Sequence, residues 1–339
     1  MSFKPEYGSL TSSLWTPAQS GAFGLSTGSI ASWIDAEHTA SVVSASGDGT
    51  YNAGYEVVVT LADRFNGKTF GQVSADGRTH ARYAVTSSLS ASINMRRTVW
   101  FSEQTLSSPT YDVALTASTG DWQSLLPAGN EDRAVFAVYK INRSYPYNQS
   151  HFVYSFGDNA ADQEYSQVFW VTGSTPQEKP GYIYLTKGGS PYYLSYVSGS
   201  SFLFNESETP EVWYQYHSSS GVGAVTKNGS EIQTEWSYSG ATLATHDSTS
   251  TKFTLGDDLA LSKHGFGWAL GELIIMEGVP ATDDRQRIEG YLAHKWGTTG
   301  SLPASHPYKS TAPTNSDGEL SFTFENAKIS PPSTGRYFV

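Results

Sequence analysis

One amphipathic helix, coming after a long series of strand-like segments, is the feature that most constrains the fold of this chain. Glu272 to Glu277 form a short apolar segment of strand character. Gly278-Val279-Pro280 ends it, because proline offers no donor to a sheet ladder and fixes its own φ. Thr282 is predicted to cap a helix from there, with Asp283 and Asp284 complementing the positive end of the helix dipole. Because the segments before this helix have strand character, it marks the end of a β domain.

The apolar stripe of this helix is formed by residues at i, i+3, i+4 and i+8, namely Ile288, Tyr291, Leu292 and Trp296. Four polar residues lie off that stripe: Arg285, Gln286, Glu289 and Lys295. Gly297 suits the left-handed residue that commonly follows a helix. A helix of about 14 residues is marginal by itself in water, so we expect the stripe to pack against the sheets.

Composition limits the classes of partner. With 339 residues, 38% of them hydrophobic and 14% aromatic, the chain can form one main domain with a large core. The net charge of −11 and the absence of a basic patch argue against nucleic acid and anionic membrane as partners. There is no cysteine, which excludes disulfides and thiolate metal sites. Neither a signal-peptide pattern nor an apolar run of about 18 residues is visible.

The middle of the chain predicts a sandwich of antiparallel sheets. Between Ser29 and Gly271, short strand-like runs alternate with glycine, serine, asparagine and aspartate. Ala134 to Ile141 alternates in a way that predicts a strand with one buried face, and Asn228-Gly229 predicts a tight hairpin turn. We expect a domain over 29–309, an N-terminal arm over 1–28 and a C-terminal arm with one short strand over 310–339.

Several segments resemble a known family in order along the chain. IEGYLAHKWG at Ile288–Gly297, followed by LPASHPYK at Leu302–Lys309, is similar to the C-terminal signature of concanavalin A-like lectin/glucanase domains. Ser32–Ala36 is similar to the opening W-x-D-A strand of that family. Leu61–Gly67 resembles its D-[RK]-S-G-N-G segment, although Phe65 replaces the usual serine, and Gly265–Ile275 resembles the strand before its helix.

The resemblance implies an all-β, concanavalin A-like jelly roll of two antiparallel sheets, one of them concave, with one C-terminal amphipathic helix. The resemblance is to the laminin-G-like kind of this domain, which is found in bacteriophage structural proteins. On that basis we expect a non-enzymatic virion protein, made in the host cytoplasm and displayed on the virion surface as a capsid decoration or a tail adhesin. The terminal arms would then dock to other virion subunits, and a symmetric homo-oligomer such as a trimer is expected.

Two other readings remain open from the sequence. One is a carbohydrate-active enzyme or a secreted carbohydrate-binding lectin domain. The other is a purely structural cement protein without affinity for sugar. An adhesin would bind host-surface glycans, whereas a cement protein would bind virion subunits alone.

The carboxylates of the last strand predict no catalysis. Glucanases of this superfamily place carboxylates at alternate positions of one strand, on the same face, at the separation that a retaining mechanism needs. Here Ile274 takes the middle acidic position, and Glu272 and Glu277 would lie on opposite faces of a regular strand. The acidic cluster of Asp158, Asp162 and Glu164 is interpreted first as a polar loop. We therefore expect no enzymatic activity and no catalytic residues.

Tyrosines beside proline and glycine are the candidate carbohydrate contacts, because aromatic rings stack on sugar faces and such neighbours predict exposed loops. The four candidates are Tyr145, Tyr147, Tyr192 and Tyr193. No cofactor is required by this reading. Calcium needs about six to eight oxygen ligands, to which Asp158, Asn159 and Asp162 could contribute, although acidic loops without metal are commoner.

Overall fold

The computed structural model describes residues 29–46, 55–72, 81–84, 92–101, 114–117, 122, 124–129, 131–141, 149–158, 163–172, 177–187, 190–195, 209–220, 223–232, 235–236, 252–257 and 268–314. Within these residues the strands are β1 (Ser29–Asp35), β2 (Val42–Ser46), β3 (Tyr55–Ala62), β4 (Thr69–Gln72), β5 (Arg82–Ala84), β6 (Val99–Phe101), β7 (Leu115–Ala117), β8 (Arg133–Ile141), β9 (Gln149–Asp158), β10 (Gln163–Thr172), β11 (Gln177–Lys187), β12 (Ser190–Ser195), β13 (Glu211–His217), β14 (Gly223–Lys227), β15 (Ser230–Ile232), β16 (Glu235–Trp236), β17 (Lys252–Leu255) and β18 (Trp268–Glu277). The α-helix α1 spans Thr282–Trp296.

The strands form an all-β sandwich, as predicted, with antiparallel pairing throughout the described residues. One sheet has the order β15–β14–β13–β8–β18–β1. The second has the order β4–β7–β17–β9–β10–β11–β12–β16. Strands β3, β5 and β6 connect the two through pairings of β4 with β3, β3 with β5, β5 with β6 and β6 with β18.

The core has two layers. The larger lies between the sheets, where Phe70, Trp122 and Phe253 pack with ring centroids 4.8–5.2 Å apart. The second lies between α1 and the first sheet, and includes Trp33 and Trp296. The expectation that β8 buries one face is therefore wrong: Arg133 to Tyr139 are all buried, because the helix covers the face that the second sheet does not.

The ends of α1 agree only in part with the sequence-based expectation. The N-cap residue is Ala281, and Thr282 is the first residue of the helix and makes no capping hydrogen bond. Gly297 is confirmed as the left-handed terminator, with φ of 68°. Asn228 and Gly229 have φ of 50° and 76°, which confirms a hairpin turn with two left-handed residues between β14 and β15.

Gly290 permits the segment after α1 to pack directly on the helix. A Cβ at this position would overlap Tyr308 Cβ and lie 2.8 Å from Tyr308 Cγ. We expect Gly290→Ala to lower the free energy of unfolding by about 1–3 kcal/mol through overpacking, despite the better helix propensity of alanine. Urea denaturation of both proteins measures this, with Gly300→Ala as the control, since nothing lies within 4 Å of a Cβ there. Equal losses in the two variants would contradict the steric explanation.

Candidate functional site

Glu272 lies in β18 beneath α1, and both of its carboxylate oxygens are occupied. Oε1 accepts hydrogen bonds from Trp33 Nε1 at 2.7 Å and from the Tyr291 hydroxyl at 3.1 Å. Oε2 accepts from Lys295 Nζ at 2.7 Å and from Trp296 Nε1 at 2.8 Å. The side chain has no exposed area. Glu272 is therefore a structural acceptor without free capacity for a ligand.

A second buried carboxylate balances the charge of this region. Asp35 Oδ2 lies 2.8 Å from Lys295 Nζ and 2.5 Å from Arg64 Nη1, and its Oδ1 accepts a hydrogen bond from the Glu37 amide at 3.1 Å. The Arg64 guanidinium also lies 3.8 Å from the centre of the Trp33 ring. We call Asp35, Arg64, Glu272 and Lys295 the charge cluster. Two cations and two carboxylates make it neutral overall.

Burial and pairing shift the pKa values within the charge cluster. Burial raises the pKa of Glu272, and the nearby Lys295 only partly offsets this. Burial would also raise the pKa of Asp35, but its ion pairs with Lys295 and Arg64 together hold it below its ordinary value. Burial would lower the pKa of Lys295, whereas its two carboxylate partners raise it above the ordinary range. Asp35 and Lys295 are thus held as a charged pair at neutral pH.

The Asp63-Arg64 segment ties the loop after β3 to β1. Asp63 accepts hydrogen bonds from the Ser32 hydroxyl at 2.5 Å, from the Trp33 amide at 3.0 Å and from the Phe65 amide at 2.7 Å. Burial raises the pKa of Asp63, and these hydrogen bonds oppose that shift. The segments that resemble the family signature therefore meet at one place, where they hold α1 and a loop against β1 and β18.

Two residues expected off the buried stripe of α1 in fact pair with buried groups, Glu289 as a buried and Lys295 as a half-buried residue. Lys295 belongs to the charge cluster, and Glu289 has no exposed area. Glu289 accepts a hydrogen bond from the Thr226 hydroxyl at 2.7 Å, and its other oxygen lies 3.4 Å from His306 Nε2. A periodicity argument misses such residues because it ranks polar side chains as solvent-facing.

A row of hydroxyl-bearing residues crosses six strands of the second sheet. Cross-strand pairing connects, in order, Thr116 of β7, Thr254 of β17, Ser155 of β9, Ser166 of β10, Tyr184 of β11 and Tyr193 of β12. Thr254 lies between Phe253 and Leu255, which belong to the core between the sheets. Strand alternation therefore places Thr254 on the face away from that core, and the register assigns the other positions of this row, which we call the hydroxyl row, to the same outer face.

The neighbouring positions on the same face add a third tyrosine and two carboxylates. Tyr182 lies two residues from Tyr184 in β11. It pairs with Ser195 of β12, which in turn pairs with Glu235 of β16. On the other side, Glu164 of β10 pairs with Thr186. The outer face of β10–β12 and β16 thus combines tyrosine, serine, threonine and glutamate positions with Trp170 of β10 and its partner Lys179 of β11.

At β9 and β17 this face is closed to solvent. Ser155 and Thr254 have no exposed area, and Thr254 Oγ1 lies 3.4 Å from Thr116 Oγ1. The Ser155 hydroxyl has no hydrogen-bond partner among the described residues. The row is therefore buried at Thr254 and Ser155, and from there its positions continue toward β11 and β12.

The candidate carbohydrate residues fall in different places. Tyr192 and Tyr193 were expected in a loop, and this placement is wrong because both lie in β12. Proline usually disrupts a strand because it has no amide proton to donate to a neighbouring strand. Here β16 pairs with β12 only at Leu194 and Ser195, so the missing donor at Pro191 does not interrupt that pairing. Tyr193 belongs to the hydroxyl row, whereas Tyr192 pairs with Leu185 on the opposite face. Carbohydrate contact by either residue stays a prediction.

The remaining candidates lie largely beyond the described residues. Tyr145, Tyr147, Asn159 and Asp162 fall outside them, and Asp158 is the last residue of β9. Within the described ranges no group of three or more histidine, aspartate or glutamate side chains is arranged to hold a metal ion. No described helix is long and apolar enough to cross a membrane.

The sequence did not identify Tyr182 and Tyr184 as candidates, although their alternation in β11 predicts a shared face. The sequence does not show the register in which neighbouring strands pair. Only the pairing of β10 with β11 and of β11 with β12 brings Ser166, Tyr184 and Tyr193 into one row.

No protein-family model matches the chain, and no curated protein matches it. Among solved structures it is similar to a GH54 α-L-arabinofuranosidase soaked with a cyclic sulfate inhibitor, with 12% identity, a TM-score of 0.48 and coverage of 81% of this chain and 64% of that one. It is also similar to the NanB sialidase of Streptococcus pneumoniae, with 13% identity, a TM-score of 0.37 and coverage of 48% and 24%. A third is the Ruminococcus gnavus sialidase module CBM40 bound to α2,3-sialyllactose, with 13% identity, a TM-score of 0.34 and coverage of 45% and 80%. This chain thus spans less than two thirds of either enzyme.

These comparisons correct one expectation and leave others untested. The prediction that the chain is not an enzyme is contradicted, because the similar structures include glycoside hydrolases. The bacteriophage context gains no support from any comparison, and the virion partners, the trimer and the virion-surface location stay predictions. The solved structures to which this all-β sandwich is similar include carbohydrate-active enzymes and a carbohydrate-binding module.

Proposed function

We propose that this protein acts on or binds carbohydrate through the outer face of β10–β12. The observation that carries the proposal is the hydroxyl row together with Tyr182, which places three tyrosines of two adjacent strands on one face. Tyrosine combines an apolar ring with a hydroxyl group, which suits the mixed apolar and polar surface of a sugar ring. Strands hold such residues at fixed spacings, which makes a sheet face a better platform than a loop.

Binding is the part of this proposal that the face supports best. Retaining glycosidases hold two carboxyl groups about 5 Å apart. Glu164 and Glu235 are the carboxylates placed on this face, and two strands, β11 and β12, separate β10 from β16. Because adjacent strands lie about 4.8 Å apart, these two residues do not form a pair at that spacing. Hydrolysis would therefore need a further group.

Glycan binding by Tyr184→Ala and Tyr193→Ala variants tests the proposal. We expect each to weaken the binding of any glycan that the wild type recognises on an array by about tenfold or more, since truncation of an aromatic hot spot costs about 2 kcal/mol. The corresponding phenylalanine variants keep the ring and should retain most of the affinity. Isothermal titration calorimetry gives the dissociation constants, and circular dichroism verifies that each variant is folded.

Phe65→Ala is the matched control, because Phe65 is an exposed aromatic residue in the loop after β3, which is not part of the second sheet. It should bind as the wild type does. If folded Tyr184→Ala and Tyr193→Ala proteins bind as the wild type does, this face is not the binding surface. Release of reducing sugar from a bound polysaccharide would identify the protein as a glycoside hydrolase.

A further inference from the structure

One end of the interior between the sheets contains a buried arginine beside a buried histidine. Arg133, the first residue of β8, pairs with His217, the last residue of β13, so the two side chains lie on the same face. Two positions further along, Gln215 pairs with Val135, which belongs to the core between the sheets. Strand alternation therefore places Arg133 and His217 on the inner face of the first sheet. Their exposed fractions are 0% and 2%.

The Arg133 guanidinium ties the preceding loop to this end of the interior. Its Nε donates to the Glu131 carbonyl at 3.0 Å, and its Nη2 donates to the Gly129 carbonyl at 2.7 Å. Its Cζ lies 5.5 Å from the centre of the Tyr165 ring, which belongs to β10 in the opposite sheet. Arg133 is therefore a fixed cation between the two sheets, next to His217.

Asp132 connects the same loop to the turn after β13. Its Oδ1 accepts a hydrogen bond from the Ser219 amide at 2.5 Å, and its carbonyl accepts one from the Gly278 amide at 2.7 Å. We call Asp132, Arg133, His217 and Ser219 the joint. The joint holds together the start of β8 and the end of β13, and Gly278 brings the end of β18 to the same place.

The charge environment of His217 is set mainly by its neighbours in β8. The other titratable residues that the described segments bring to this end of the interior are Glu131 in the loop before β8, Tyr154 and the register position of Asp158 in β9, Tyr165 in β10, and the exposed Glu277, which pairs with Arg133. In β14 the residue that pairs with His217 is Gly223, which adds no charge. Burial and the Arg133 cation lower the pKa of His217 to about 4, and Asp132 only partly opposes them.

We propose that the joint is a pH-sensitive switch, which opens when His217 takes up a proton beside the buried guanidinium of Arg133. Protonation places two cations next to each other in a region closed to water, and neither can be hydrated there. Opening hydrates the imidazolium and separates the turn after β13 from the loop before β8. This end of the sandwich is therefore the part that loosens first on acidification.

The direction of the pH dependence follows from the burial of His217. In the open chain its imidazole has the ordinary pKa of 6.5, whereas in the closed joint the pKa is about 4. The open state binds more protons between these values, so the joint is fully closed above pH 6.5 and weakens as pH falls toward 4. Hydrogen bonds from Ser219 lower the pKa of Asp132 below 3.8, so the contribution of Asp132 is lost only at still lower pH. Measurements at about pH 5 and above thus isolate His217.

Hydrogen–deuterium exchange of the full chain at about pH 7.5 and about pH 5 tests the proposal, once the intrinsic exchange rate at each pH is taken into account. We expect the opening constant at residues 131–134 and 215–220 to rise by about tenfold or more at the lower pH, since each pH unit within the window contributes up to about tenfold. The amides of α1, which lie outside the joint, should change far less.

A His217→Gln variant removes the titrating group and keeps a polar side chain, so the rise at the joint should shrink to within about twofold. His38→Gln is the matched control. Burial also lowers the pKa of His38, but this residue lies in the loop after β1, where its Nδ1 is 2.8 Å from the Ser41 hydroxyl. The control should keep the full wild-type response at the joint.

Nuclear magnetic resonance titration of the wild-type imidazoles gives a second readout that needs no variant. The His217 ring should stay neutral in the folded protein at about pH 5. A His217 ring that titrates near pH 6.5 in the folded protein would overturn the proposal. So would a folded His217→Gln protein that shows the full wild-type rise in exchange, or a wild-type protein that shows no rise.

Discussion

Replacement of Lys295 with methionine is expected to lower the free energy of unfolding by about 3–5 kcal/mol, because it leaves buried carboxylates without their shared cation. Methionine retains much of the apolar stem, so the change removes mainly the charge. In the variant, Arg64 alone would balance Asp35 and Glu272 in the charge cluster. Urea denaturation followed by tryptophan fluorescence measures the loss, since Trp33 and Trp296 both contact the cluster.

A double variant separates the electrostatic cause from lost packing. Lys295→Met combined with Glu272→Gln leaves the Asp35–Arg64 pair balanced. The double variant should therefore lose about 1–3 kcal/mol less free energy of unfolding than the two single variants lose together. Glu277→Gln serves as the control, because Glu277 is an exposed residue at the end of the same strand and should change stability by less than about 0.5 kcal/mol. A Lys295→Met protein as stable as this control would refute the account of the charge cluster.

Above pH 10 the protein should lose stability steeply. Burial raises the pKa of six tyrosines among the described residues: Tyr83, Tyr139, Tyr154, Tyr165, Tyr214 and Tyr291. In the unfolded chain these phenols lose their protons near pH 10, whereas in the fold they stay neutral. The unfolded state then binds fewer protons, so the free energy of unfolding falls as pH rises.

The raised pKa of Lys295 acts in the same direction. Its stabilising effect is complete below the ordinary lysine pKa of about 10.4 and is lost as pH rises beyond it. Each group that is protonated in the fold and deprotonated in the unfolded chain lowers the free energy of unfolding by about 1.4 kcal/mol per pH unit. Stability should therefore fall by several kcal/mol between about pH 10 and pH 11. Urea denaturation at a series of pH values measures the slope.

Tyr214→Phe tests the origin of this slope, because it removes one buried phenol and retains the ring. The slope above pH 10 should become shallower by up to about 1.4 kcal/mol per pH unit, with stability near pH 7 changed far less. Phenolate absorbance should appear together with unfolding. Ionisation of the buried tyrosines in a protein that is still folded would contradict the prediction.

The features that the sequence predicts are those with local signals. The sandwich follows from short strands with turn residues, the Asn228-Gly229 hairpin from two residues that accept left-handed φ, and the end of α1 from Gly297. Each can be read within a few residues. The family resemblance implies the same architecture. Its motifs include the segments that meet around the charge cluster.

The features that the sequence misses depend on pairing between distant segments. The Trp33 indole and the Glu272 carboxylate are 239 positions apart, so no local pattern shows that the glutamate has a partner. The same applies to the hydroxyl row, whose members become neighbours only through the register of successive strands. Tyr192 and Tyr193 show the opposite error, since local proline and glycine signals suggested a loop that strand pairing overrides.

The pairing of β1 with β18 also sets an order for synthesis on the ribosome. In the described fold β1 pairs with β18, and its Asp35 contacts Lys295 of α1. Translation at about 5–20 residues per second places tens of seconds between the emergence of these segments. During that interval β1 carries Trp33 and Ile34 without their native cover. Folding of the complete domain should be slow, as expected when its contacts join residues far apart in the chain.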